Sequence, residues 1–216
     1  CSKLKKLTIG AAVTSIGGER TFQGCTSLDD VTLGAAVTSI GYAAFYRCSS
    51  LASIDLPAAV TSIGGTAFQG CSSLASIDIP AAVTSIGGAT FQGCTAITAV
   101  TIPAAVTAID ATAFTGCTAI TQLTLDTPLL GTADDVVTTY FADSKGSITE
   151  LSIGDTVTSL AGKTCYECTK LKKLTIGDAV TSIGGASSDG GRVFQGCTSL
   201  DDVTLGDAVT SIGYAA

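Results

Sequence analysis

Cys165 and Cys168 form a C-x-x-C sequence and have the spacing in this chain that is most suggestive of chemistry. Such pairs occur as redox-active thiols and as half of a four-cysteine zinc site. No second C-x-x-C is present, and the 216 residues contain no histidine. The absence of histidine excludes the usual Ser-His and Cys-His nucleophile pairs and the mixed Cys/His zinc sites. We therefore expect no catalytic residue, no metal ligand and no cofactor, and we predict that the chain is not an enzyme.

A regular spacing explains most of the cysteines without chemistry. Eight of the nine mark the start of a segment of about 23 residues, whereas Cys165 occupies a position that other segments give to Phe. Stacked segments would hold equivalent cysteines about 4.8 Å apart with near-parallel Cβ directions, but a disulfide needs the Cβ atoms about 3.8 Å apart. We predict a ladder of buried free thiols, with scattered disulfides as the alternative. The series comprises Cys1, Cys25, Cys48, Cys71, Cys94, Cys117, Cys168 and Cys197.

Charged residues also recur at equivalent positions. Lys5 and Lys6 of the first segment correspond to Asp29 and Asp30 of the second, so stacking would place opposite charges side by side. The copy near the end of the chain repeats the arrangement with Lys172 over Asp201 and Lys173 over Asp202, and Glu150 flanks Lys173. These pairs are predicted to fix the register of neighbouring coils and to aid solubility. Direct contact with a ligand is the alternative.

The overall charge narrows the classes of partner. A net charge of −7 and a pI near 4.3 disfavour nucleic acid, whose usual protein footprint is basic. Residues 79–109 carry no charge, but their prolines and glycines and their agreement with the repeat argue against a transmembrane segment. Between residues 48 and 109 only Asp55 and Asp78 are charged. This low-charge belt is a candidate docking surface for a partner or a second copy, and a neutral surface without a partner is the alternative.

The segments themselves alternate apolar and polar residues. Each contains L-x-x-[LIV]-x-[LI], with Ile at the first position in three segments, and the last two apolar positions are two residues apart, as on one face of a strand. The polar residue between them, such as Thr32 or Thr101, is predicted to face solvent. A Gly, Pro or Asp then turns the chain, and a second apolar pair, a glycine-containing turn and an aromatic corner follow. We predict that the corner phenylalanines stack in a column formed by Phe22, Phe45, Phe68, Phe91, Phe114 and Phe194.

The combination L-x-x-I-x-I-P-x-x-V-T-S-I-G-x-x-A-F-x-x-C resembles the Treponema pallidum-type, or BspA-like, class of leucine-rich repeat over essentially the whole chain. The resemblance implies a right-handed leucine-rich repeat solenoid with a parallel β-sheet on its concave face and short strands and helical turns elsewhere, a β-rich α/β class. It also implies an extracellular or cell-surface protein of bacteria or protists that binds host proteins, matrix proteins or other cells.

Residues 1–216 are expected to form one array of nine coils. Residues 1–18 recur almost unchanged as residues 168–185, and residues 22–44 as residues 194–216, so we expect a segment of a longer repeat protein. Two coils are lengthened, near Asp134 and near Asp189. Such insertions are either binding loops or tolerated surface loops.

We predict a non-enzymatic module that binds a protein partner, from a host, from the matrix or another copy, through the exposed strand face. The alternative is a structural stalk, sheath or filament that associates laterally or end to end. A regular Thr rank that follows each inward Val also suggests an ice-binding face, but each Thr is usually followed by Ser, whose side chain would diverge from it. The candidate protein-binding residues are Asp55, Asp78, Thr32, Thr101, Lys5, Lys6, Asp29 and Asp30.

Overall fold

A computed structural model describes residues 1–131, 136–184 and 192–213. The chain divides into two compact units, one of residues 1–100 and 108–119 and the other of residues 101–107 and 120–216. Each unit is a stack of parallel β-coils, as the repeat predicts, with very little helix. Each L-x-x-L-x-L stretch lies in what we call the front rank. Its strands are β1 (Lys6–Thr8), β3 (Asp30–Thr32), β6 (Ser76–Ile77), β8 (Ala99–Ile102), β10 (Gln122–Leu125), β11 (Glu150–Ile153), β13 (Lys173–Ile176) and β15 (Asp202–Thr204).

The second apolar pair of each coil forms a back rank of two-residue strands. Its carbonyl and amide groups pair with those of the next coil in register, for example Ser39 with Ser62 and Ile40 with Ile63. The strands are short because turn residues follow at once, so most of each coil is turn. The back strands are β2 (Ser15–Ile16), β4 (Ser39–Ile40), β5 (Ser62–Ile63), β7 (Ser85–Ile86), β9 (Ala108–Ile109), β12 (Ser159–Leu160), β14 (Ser182–Ile183) and β16 (Ser211–Ile212).

Parallel pairing holds the front rank in the predicted register within each unit. In the first unit β1 pairs with β3, and the β6 residues Ser76 and Ile77 pair with Ala99 and Val100 of β8. In the second unit β11 lies between β10 and β13, and β13 pairs with β15. Residues 51–57 form no assigned strand, so the third coil interrupts this regularity.

A column of phenylalanines fills the corner of the first unit, as predicted. Phe45, Phe68 and Phe91 are fully buried, and adjacent rings are stacked with centroids 5.5 Å and 5.7 Å apart and planes within 4°. Phe22 and Phe114 extend the column at its two ends. Each ring is buried only because the coils above and below supply rings of their own. Phe194 of the second unit is half-buried, and the equivalent position of the coil before it is Cys165.

Free thiols form a second column in the first unit, which confirms the predicted ladder there. Cys48, Cys71 and Cys94 each donate a hydrogen bond to the carbonyl oxygen of the phenylalanine 26 residues earlier, with Sγ to oxygen distances of 3.1 to 3.2 Å. The prediction of free thiols is wrong for Cys165 and Cys168, which form a disulfide. Their Cα atoms are 5.7 Å apart. Both cysteines belong to one corner, so the distance between successive coils, which prevents disulfides within the ladder, does not apply to them.

The coil that contains the first insertion departs from the repeat. A 3-10 turn (Pro128–Gly131) and a short helix α1 (Val136–Tyr140) replace its back strand, and Val136 and Val137 are buried. Asp134 and Asp189 themselves, with residues 132–135 and 185–191 around them, lie outside the described residues. No helix in the described ranges is long and apolar enough to cross a membrane.

Candidate protein-binding surface

The front rank presents polar side chains between buried apolar ones. Asp78 is exposed between Ile77 and Ile79, whose exposed fractions are 3% and 7%. The same alternation places Ser152 on the outer side of the second unit, with Leu151 and Ile153 beneath it. Because equivalent residues of paired parallel strands lie about 4.8 Å apart, one polar position per coil forms a regular row wherever neighbouring strands of one unit pair.

The first two coils carry the charged part of this surface. Lys6 and Asp30 are register partners, and the Lys6 Nζ atom lies 2.6 Å from an Asp30 carboxylate oxygen. The hydrogen bond from Lys6 to Asp30, together with the attraction of the charges, raises the pKa of the lysine. Lys5 and Asp29 are exposed beside this pair and are joined through the backbone, where Asp29 N–H donates to the Lys5 carbonyl oxygen at 3.0 Å. Opposite charges therefore lie on neighbouring coils, as predicted.

The second unit repeats this arrangement with an additional acid. Lys173 is the register partner of Glu150 on one side and of Asp202 on the other. All three side chains are exposed. A basic residue between two acidic ones favours this strand order over a register shifted by one residue.

The remaining predicted residues are exposed but are not gathered into one cluster. Thr32 pairs in register with Thr8 beside the Lys6–Asp30 ion pair. Asp55 lies in the coil without an assigned strand, and Asp78 follows directly after β6. Among the described residues, neither aspartate has a side-chain hydrogen bond or an ion pair. Thr101 lies in β8, at a position assigned to the second unit. Asp55 and Asp78 therefore present uncompensated charges on an otherwise neutral surface.

A rank of aspartates in the second unit was not anticipated. Asp178 N–H donates to a carboxylate oxygen of Asp155 at 2.9 Å, and Asp207 N–H donates to one of Asp178 at 3.4 Å. Each carboxylate thus accepts a hydrogen bond from the backbone of the next coil. The signal in the sequence is the change from Ala11 and Ala35 to aspartate in the repeated copy.

The back Thr rank uses its hydroxyl groups within the fold. Thr38 donates through both its backbone N–H and its hydroxyl to the carbonyl oxygen of Thr14, and Thr181 does the same to Thr158. Hydroxyl donors that are engaged in this way are not available for a regular array of bonds to ice. The geometry supports a structural role for this rank.

The buried thiols of the ladder have low reactivity. Burial is the main cause that raises the pKa of Cys48 to about 11 and that of Cys71 to about 12. The thiolate, which is the nucleophile and metal ligand, is therefore scarce at neutral pH. The buried Cys165–Cys168 pair is held as a disulfide, so the C-x-x-C sequence presents no free thiol.

A polar corner in the second coil was also not predicted from the sequence. Arg20, Gln23, Tyr42, Tyr46 and Gln69, with Ala43 and Thr66, line a cavity of about 240 Å³ in the first unit. The sequence marks this corner only by a local departure from the repeat. The second coil reads Gly-Tyr-Ala-Ala-Phe-Tyr-Arg where the third reads Gly-Gly-Thr-Ala-Phe-Gln-Gly.

Comparison with known proteins gives one family. The model of the BspA type leucine-rich repeat region matches residues 1–125 and 134–216. No curated protein matches the sequence.

Solved structures of leucine-rich repeat proteins are similar to this chain, and the first of them supports the fold. The leucine-rich repeat protein of Treponema pallidum is 23% identical, with a TM-score of 0.55, and the match covers 98% of this chain and 86% of that one. A leucine-rich repeat protein from Bacteroides ovatus is 23% identical with a TM-score of 0.47, and a leucine rich cell surface protein from Faecalibacterium prausnitzii is 25% identical with a TM-score of 0.42. The matches cover 100% and 95% of this chain, which spans 64% and 60% of those two proteins.

Proposed function

This chain belongs to the BspA-type leucine-rich repeat family, and we propose that it is a non-enzymatic protein-binding or adhesion module, secreted or displayed at the cell surface. The observation that carries the proposal is the front rank, where exposed polar side chains alternate with buried apolar ones on a rigid stack of strands. A rigid array binds an extended protein surface at little cost in conformational entropy.

The charges of the front rank indicate the kind of partner. Asp30 is neutralised by Lys6, whereas Asp55 and Asp78 are exposed and have no ion pair with any described residue. The chain as a whole has a net charge of −7. We expect a partner with a basic patch, attracted by Asp55 and Asp78 of the first unit and contacting Thr32 there. Thr101 of the second unit is a separate candidate contact. Electrostatic complementarity of this kind mainly speeds association, and added salt weakens it.

The test is binding to a panel of purified extracellular-matrix proteins, measured by surface plasmon resonance. The double variant Asp55→Asn/Asp78→Asn changes the net charge from −7 to −5. The matched control Ser62→Lys/Ser85→Lys makes the same change on exposed residues of the back rank. We expect the front variant to weaken the interaction about tenfold or more and the control to leave it within about twofold.

Equal effects of both variants would show that net charge, and not the front rank, controls binding, and would refute the surface assignment. If no matrix protein binds, sedimentation over a concentration series separates the remaining possibilities. Association that grows with concentration would favour a structural role, whereas a persistent monomer would count against it.

A further inference from the structure

The corner of the second coil departs from the repeat at several positions at once. Tyr42 stands where the third coil has Gly65, and Tyr46 stands where it has Gln69. Arg47 has a φ of 57° at a position where most corners have glycine, such as Gly70 with a φ of 75°, and where Glu167 of the second unit also has a positive φ. A bulky residue in the left-handed region is unfavourable, and such outliers concentrate at functional sites. The corner is therefore a candidate ligand-binding site.

Small and large side chains together form the cavity there. Arg20, Ala43 and Thr66 occupy equivalent corner positions of three successive coils, and all three have a positive φ. Gln23, Tyr46 and Gln69 form the neighbouring row. Because Ala43 is small and lies in the coil between those of Arg20 and Thr66, the three coils leave a hollow of about 240 Å³. Backbone bonds fix its walls, since Arg20 N–H donates to the Tyr42 carbonyl oxygen at 3.0 Å.

Two polar groups that line the cavity have no partner among the described residues, the Thr66 hydroxyl and the Arg20 guanidinium. The buried Thr66 hydroxyl has no hydrogen-bond partner among the described residues. Arg20 forms no ion pair with a described carboxylate, although the exposed Glu19 precedes it in sequence. Buried polar groups usually have partners, so the unused Thr66 hydroxyl, in the wall of a pocket that is also lined by the exposed Arg20, indicates a polar ligand.

We propose that this corner pocket binds an acidic sugar, a single pyranose ring that carries a carboxylate. A sugar ring has apolar C–H faces and a polar rim. The tyrosine rings offer a flat apolar surface with a hydroxyl at the edge, and the glutamines offer both donors and acceptors. Arg20 supplies a fork that matches a carboxylate. No acidic side chain in the described part of the chain lines the pocket, and the volume suits one ring rather than a chain of them.

The experiment is a titration of the isotope-labelled protein with glucuronic acid, followed by amide NMR shifts. Glucose tests the ring without the charge, and N-acetylglutamate tests the carboxylate without the ring. We expect glucuronic acid to shift the amides of residues 41–47 with a dissociation constant of about 1 mM, the scale for a ligand of this size. Both comparison compounds should bind at least about fivefold more weakly.

The repeat supplies variants that should fold, because each copies the third coil. Tyr42→Gly/Tyr46→Gln should abolish the shifts, and Arg20→Thr should reduce glucuronic acid to the affinity of glucose. Tyr166→Gln changes the equivalent tyrosine of the second unit and should have no effect. Binding of N-acetylglutamate as strong as that of glucuronic acid would overturn the sugar assignment. Unchanged binding by the double variant, or no shift at about 20 mM ligand, would overturn the site itself. Neither result bears on the front rank.

Discussion

Removal of one ring from the middle of the phenylalanine column should cost far more than removal of one from its end. Phe68 is fully buried and stacked on both sides, by Phe45 at 5.5 Å and Phe91 at 5.7 Å between ring centres. Phe22 is half-buried and stacks on Phe45 at 5.6 Å. Substitution of a buried phenylalanine by alanine costs about 3 to 5 kcal/mol, of which two ring pairs account for about 1 to 3 kcal/mol. We expect that full loss for Phe68→Ala and about 2 kcal/mol for Phe22→Ala, in proportion to the area buried.

Guanidinium unfolding followed by far-ultraviolet circular dichroism measures both losses, since the chain has no tryptophan for fluorescence. Phe68→Leu is the matched control, because it keeps most of the volume and should lose less than about 1.5 kcal/mol. A double-mutant cycle of Phe45 with Phe68 should give a coupling of about 0.5 to 3 kcal/mol. Phe45 and Phe91 are separated by the coil that contains Phe68, so the effects of their substitutions should be additive within about 0.5 kcal/mol.

Two results would refute the reasoning. A loss below about 1.5 kcal/mol for Phe68→Ala would mean that the column contributes little to the core. Equal losses for Phe68→Ala and Phe22→Ala would mean that coils are not stabilised by contacts on both sides, contrary to the nearest-neighbour behaviour expected of a stack.

Three further outcomes follow from the thiols and the aspartate rank. In denaturant without reductant, seven of the nine cysteines should react with a thiol reagent, because two are in the disulfide; nine would rule the disulfide out. Burial holds the pKa of Cys48 and Cys71 above the unfolded value of about 8.5, so above that pH the folded state keeps protons that the unfolded state loses. The contribution of these thiols to the free energy of unfolding is therefore fully present below about pH 8.5 and falls as the pH rises toward 11 to 12. Denaturant midpoints measured from pH 8 to pH 11 should decrease, and Cys71→Ala should flatten the decrease; a constant midpoint would contradict it. Asp178→Ala, which restores the residue of the first copy, removes the acceptor of Asp207 N–H and should cost no more than about 1 kcal/mol, and a loss of several kcal/mol would show another role.

The strands and both columns could be predicted because they depend only on the period. A position that recurs in every coil meets copies of itself, so Phe68 must lie between Phe45 and Phe91 once the coils stack. The pairing of Lys6 with Asp30 follows by the same argument. Handedness and curvature depend on small rotations between coils that no single residue type encodes, and they stay predictions from the family resemblance.

The disulfide could not be predicted from the same argument, because it joins two residues of one corner. The ladder spacing concerns equivalent residues of successive coils, whereas Cys165 and Cys168 are not equivalent. The missing strand around Asp55 shows a second limit. L-x-x-L-x-L recurs there unchanged, but whether the backbone hydrogen bonds form depends on small shifts between coils. Exposure of the candidate residues was predictable from alternation.

Departures from the period explain where the chain can acquire a specific ligand. A surface made of identical coils offers the same environment at every step, which suits a long partner and disfavours recognition of one small group. Tyr42 and Tyr46 break that uniformity in one coil, while Arg20 and Thr66 on the coils beside it complete the hollow. The fold tolerates the break because the buried positions of that coil, Phe45 among them, keep the repeat. Extended binding by the regular rank and local binding by the irregular corner can therefore coexist, since they draw on different residues of the same coils.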